Sequence, residues 1–107
     1  MNEIAIGKNI HGEEIKIIVS NYNGITCRFY NLIDLKIPKN IIVVDCASNQ
    51  LTELNLPKTV KWVVCYNNPI KEITLSKKII HAELPLNCIV TNLDDFRYNK
   101  NVRIKFR

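Results

Sequence analysis

An eleven-residue pattern returns through this chain at a fixed interval of nineteen residues. It is clearest at 41–51, IIVVDCASNQL, and recurs at 60–70, VKWVVCYNNPI, and at 79–89, IIHAELPLNCI, with a looser copy at 22–32, YNGITCRFYNL. A constant period of this size marks a stacked repeat architecture. Each unit is too short to bury an apolar face alone and does so only against its neighbours. Four units follow, 22–40, 41–59, 60–78 and 79–97, with 1–21 before them and 98–107 after. At 107 residues the whole reads as a single domain, 1–107, with a thin core.

Aligned on the period, the units resolve into columns. Position four is Ile25, Val44, Val63, Ala82 and position six is Cys27, Cys46, Cys65, Leu84. Two residues apart, these share one face of a strand, so each unit supplies a short strand whose inward side chains stack on the next. Tyr22, Ile41, Val60 and Ile79 at position one, and Leu32, Leu51, Ile70 and Ile89 at position eleven, are expected to join that core. The second half of each unit has apolar residues at positions fourteen and sixteen, then Ile-Pro-Lys, Leu-Pro-Lys or Leu-Ser-Lys, a turn signal. Only about six or seven residues remain for the return, too few for a typical helix. An extended segment or one 3₁₀ turn is expected there, and the fold class is all-β.

Position nine is Tyr30, Asn49, Asn68, Asn87. Where a strand turns a corner, its buried backbone groups need new partners. An Asn amide both donates and accepts, so one Asn can satisfy its own turn and the neighbouring one.

The ends differ from the repeats. Ile4 and Ile6, then Ile15, Ile17 and Val19, alternate with polar residues on either side of a turn-rich stretch, which predicts an N-terminal cap hairpin over 1–21. Val102, Ile104 and Phe106 alternate with Arg103, Lys105 and Arg107, which suits a basic C-terminal capping strand over 98–107.

The columns resemble the leucine-rich-repeat signature LxxLxLxxNxL, with Cys or a β-branched residue standing for Leu. IIVVDCASNQL and VKWVVCYNNPI match at every defined position, and IIHAELPLNCI matches with Ala82 as a small substitute. YNGITCRFYNL departs at Tyr30, and the fourth unit drifts at Asn92 and Asp94, with Leu93 and Phe96 nearby. The resemblance is to the short, helix-free class. It implies a solenoid of parallel strands with extended or 3₁₀ returns, and a non-enzymatic scaffold for protein interaction.

Composition narrows the function classes. The chain is 47% hydrophobic and 23% charged with three Gly and four Pro, which excludes a disordered polymer. No apolar run reaches the ~18 residues of a membrane helix, and the N-terminal stretch lacks the apolar core of a secretory signal. The expected location is therefore cytoplasmic and reducing. Cys27, Cys46 and Cys65 lie in one inward column without a CxxC pair or a His at ligand spacing, so reduced core thiols are expected, with no metal and no cofactor. His11 and His81 have no nucleophile to serve, and no enzyme is expected.

Two surfaces remain. The outward strand positions place Val43, Asp45, Trp62, Val64, Tyr66, His81 and Glu83 on the exposed sheet face. There an aromatic centre with a polar rim has the make-up of a hot spot for a protein or peptide, or for a second copy of the chain. The rival surface is cationic. The net charge of +5 resides wholly in 97–107, which holds Arg97, Lys100, Arg103, Lys105 and Arg107 without an acid, and Lys39, Lys58 and Lys77 form a column on the turns. These residues are the alternative site, for nucleic acid or another polyanion.

Overall fold

The computed structural model describes residues 3–107. Five short strands form one parallel sheet: β3 (Gly24–Thr26), β5 (Val43–Asp45), β6 (Trp62–Val64), β8 (His81–Leu84) and β10 (Arg103–Phe106), in the order β10-β8-β6-β5-β3. The register follows the sequence period. Ile25 pairs with Val44, Val44 with Val63 and Val63 with Ala82, a step of nineteen each time, while Ala82 pairs with Ile104 after twenty-two. The chain is thus a nearly helix-free β-solenoid of about four turns, closed by a fifth strand. Its extents of 41 × 31 × 16 Å are those of a slab two layers thick.

The second layer is made of the returns. The first return is β4 (Leu32–Lys36), the third contains β7 (Glu72–Ile73), and the fourth contains β9 (Ile89–Val90) and a 3₁₀ turn, Leu93–Phe96. Between the layers lie Ile25, Cys27, Val44, Cys46, Val63, Cys65, Ala82 and Leu84 from the strands, and Leu32, Leu51, Leu54, Ile70, Ile73 and Leu75 from the returns. All four cysteines are free and buried.

Asn49 and Asn68 bind the turns together. The Asn49 carboxamide oxygen accepts from the N–H groups of Tyr30 and Leu32, and its amide donates to the carbonyls of Cys27 and Cys46. Asn68 repeats this one turn on, accepting from Leu51 and donating to Cys46 and Cys65. Each side chain satisfies its own turn and the preceding one.

The fourth unit departs from the columns. Its strand keeps the nineteen-residue offset, but Glu72 pairs with Ile89 and Ile73 with Val90, an offset of seventeen. Two residues are missing from the turn, which is closed by the Cys88 N–H donating to the Pro85 carbonyl. The shift buries Cys88 and Val90 and leaves Ile89, expected in the core, 64% exposed. It also puts Asn87 at the turn tip with φ +65°, where it takes no part in the ladder. Asn92 compensates from the return, accepting from the Leu75 N–H and donating to the Leu75 carbonyl.

The N-terminal hairpin, β1 (Ile4–Asn9) and β2 (Glu14–Ile18), does not extend the parallel sheet. β1 instead pairs antiparallel with β4, giving the order β2-β1-β4 in the return layer. The faces of the hairpin are set by that docking. Ala5, Gly7 and Asn9 turn inward with Ile17, while Ile4 and Ile6 face out. Gly7 is needed there, since a Cβ would lie 2.7 Å from Leu32 Cδ2. Tyr22, expected at the head of a core column, is exposed instead.

Candidate interaction face

The outward positions of the five strands form a face of three rows. Val43, Trp62, His81 and Arg103 lie in the first, Thr26, Asp45, Val64, Glu83 and Lys105 in the second. Arg28, Ala47, Tyr66, Pro85 and Arg107 follow at the strand ends. Gly24 heads the first row without a side chain. The Tyr22 ring fills the vacant place, with a ring carbon where a Cβ on Gly24 would clash. The first row is therefore Tyr22, Val43, Trp62, His81 and Arg103.

Side chains across the face are joined in one chain of contacts. The Arg28 Nε donates to both Asp45 carboxylate oxygens at 2.8 and 3.0 Å, and another guanidinium nitrogen donates to the Tyr66 hydroxyl at 2.9 Å. The Arg107 guanidinium carbon sits 4.6 Å from the centre of the Tyr66 ring, and Arg28 lies 5.4 Å from it, so the ring carries two cations. Arg107 then pairs with Glu83, and the other Glu83 oxygen is 2.8 Å from His81 Nε2. Finally the His81 ring stacks on Trp62, with centroids 4.0 Å apart and planes 19° from parallel. These hydrogen bonds, first to His81 and then to Arg107, hold the Glu83 carboxyl below its usual range.

This chain surrounds Val64 and Ala47. Val64, expected as an exposed contact residue, points to the face but is only 4% exposed, and Ala47 is fully covered. Both lie among the side chains of that chain of contacts, in which Arg28 reaches from Asp45 to Tyr66 and Arg107 from Tyr66 to Glu83. What the face offers is an aromatic and charged lattice over an apolar floor. Val43, Asp45, Tyr66, His81 and Glu83 are half-buried in it, and Trp62 remains 41% exposed.

Of the cationic residues only Arg103, Lys105 and Arg107 are brought together, in line at the outward edge of the sheet along β10 and its end. Arg107 belongs to the sheet face, and Arg97 pairs with Asp94 at 3.2 Å beside the 3₁₀ turn. Arg103 and Lys105 lie exposed on the edge strand and Lys100 on the preceding turn. Lys39, Lys58 and Lys77 follow the turns between units, and the last two border a groove on the return side. Among the described residues no group of three His, Cys, Asp or Glu could hold a metal ion.

Sequence reasoning missed the roles of Tyr22 and Arg107. Tyr22 was hidden because its ring occupies the place of another position. Arg107 was hidden because the last strand follows after twenty-two residues rather than nineteen, although its period-2 alternation alone would have carried Arg107 into the row of Tyr66.

No known family, curated protein or solved structure matches this chain.

Proposed function

We propose that this chain is a non-enzymatic binding module of the short leucine-rich-repeat type, and that it takes a protein segment or peptide on its sheet face. The nineteen-residue columns and the Asn49 and Asn68 ladder support the leucine-rich-repeat reading. The observation that carries the binding reading is Trp62, an exposed indole held by the stack with His81 in the middle of an ordered lattice. Aromatic anchors dominate interface energetics, and one already fixed before binding loses little side-chain entropy on contact. Tyr66, clamped between two guanidiniums, is a second such anchor. The buried free thiols fit a reducing, cytoplasmic location.

The nucleic-acid reading has less support, because only Arg103, Lys105 and Arg107 lie together, Arg107 and Arg97 are engaged with acids, and the lysine column lies elsewhere. Pull-down from lysate of the native source, comparing wild type with Trp62→Ala/Tyr66→Ala, checks the main reading. Specific partners recovered by wild type should be lost with the double variant, and equal recovery would sink it.

A further inference from the structure

The return side of the solenoid carries its charge in rows. Position thirteen of the first three units is Asp34, Glu53 and Glu72, and position eighteen is Lys39, Lys58 and Lys77. All six side chains are exposed, and none is in an ion pair among the described residues. Along each row, like charges recur at every turn, about 4.8 Å apart, an arrangement that destabilises a sheet. The two rows cannot neutralise each other, because five residues of extended chain hold them about 16 Å apart. Asp34 has Lys8 as its cross-strand neighbour. Glu53, Glu72, Lys58 and Lys77 border a groove of about 970 Å³ that runs across the second and third returns to the fourth, where Lys78 and Asp95 also line it.

We propose that the return faces of two copies of this chain pack on each other about a two-fold axis parallel to the stacking direction. Set midway between the rows, that axis exchanges left and right but keeps the order of the turns. Glu53 then meets the partner's Lys58 and Glu72 the partner's Lys77, and the reverse contacts follow by symmetry, so the surface is self-complementary as an isologous interface requires. A two-fold axis in the same plane but across the rows would set acid against acid and lysine against lysine. Repulsion excludes that orientation, which fixes the copies parallel.

Area agrees with this choice. A standard interface needs about 800 Å² per partner. The broad 41 × 31 Å face can supply it, and the 16 Å edge cannot. The groove between the rows is lined by polar side chains such as Thr52, Asn55 and Thr74 and by apolar ones such as Leu54, Ile73 and Leu75, a mixed centre with a charged rim, as in many interfaces. Because the holding pairs are exposed charges, the dimer weakens as salt is raised.

The test is molecular mass by sedimentation equilibrium at low salt. Wild type is expected to be a dimer that dissociates with added salt. Glu53→Lys/Glu72→Lys makes both rows basic and Lys58→Glu/Lys77→Glu makes both acidic, so each variant alone is expected to be monomeric. An equimolar mixture of the two is expected to recover the dimer, which also shows that both variants are folded. Trp62→Ala/Tyr66→Ala lies on the opposite face and should leave the mass unchanged, so failure here is separable from failure of the sheet-face reading. A monomeric wild type, a dimer that survives either row variant, or a mixture that stays monomeric overturns the proposal. So does a monomeric wild type that binds an oligothymidylate through the lysine row.

Discussion

Three residues show how much of the stability is decided by single side chains. The Asn68 amide is buried and holds two turns at once, so Asn68→Ala leaves the Leu51 N–H and the Cys65 carbonyl without this partner, while the Cys46 carbonyl keeps its bond from Asn49. Each such loss costs about 1–3 kcal/mol, and a clear fall in the urea midpoint is expected. Asn87→Ala, one unit on, breaks no ladder bond and bears only the strain of placing Ala at φ +65°, so its midpoint should fall less than that of Asn68→Ala. Phe29 acts in the other direction. It holds φ +61° at a position where the next units carry Ser48 and Asn67, and its side chain is 75% exposed. A bulky side chain is unfavourable in that left-handed region by roughly 1–2 kcal/mol, so Phe29→Asn is expected to add about 1 kcal/mol of stability, read as a higher urea midpoint. At Glu83 the effect depends on pH. Its folded-state pKa is lowered, so its contribution is present above the ordinary carboxylate value of about 4 and is lost as pH falls through the lower folded value. The difference in thermal midpoint between wild type and Glu83→Gln should therefore shrink on acidification, and a pH-independent difference would refute the assignment.

At the scale of elements, the readable parts of the sequence were those where periodicity and burial coincide. Ile25, Val44 and Val63, with the cysteines two positions on, face inward because a two-residue period and a nineteen-residue period agree at those sites. The same logic fails where a turn changes length. Two residues fewer after Leu84 shift the fourth return against its column, so Ile89 surfaces and Cys88 takes its place, and nothing in the apolar pattern alone records where the residues were lost. The hairpin was legible as a hairpin but not in its docking, which Gly7 permits by leaving room for Leu32. The site was legible in its rows and not in its covering. Outward alternation put Val64 on the face, but alternation does not record how long neighbouring side chains close over a position, and Val64 is buried. The closing strand β10 joins the two themes, since it shields the edge of β8 and also delivers Arg107 to Glu83. Removal of 103–107 should uncover the β8 edge and increase aggregation, as followed by light scattering. Arg107→Gln keeps the strand, so it should leave aggregation unchanged and alter only the sheet face.

Across the whole molecule, one feature spans the stack from turn to turn: a column of thiols sealed from water. Burial raises the thiols of Cys27 and Cys65 to about 12 and that of Cys46 well above its ordinary value, because a thiolate there would be a charge without solvent. In the unfolded chain the same groups ionise near their ordinary value of 9.0. Below that value both states hold the proton and pH has no leverage. Above it the unfolded chain releases protons that the folded solenoid keeps, so stability falls as pH climbs from about 9 toward about 12. Lysine and tyrosine groups also titrate in that range, so the informative quantity is a difference between proteins. Cys27→Ala/Cys65→Ala should start less stable, from the small cavities it opens, and yet show a shallower alkaline decline in urea midpoint than wild type. Parallel declines would mean that the thiols are not sealed in the folded state. The two broad faces should not move this result, because the thiol column lies between them and touches neither.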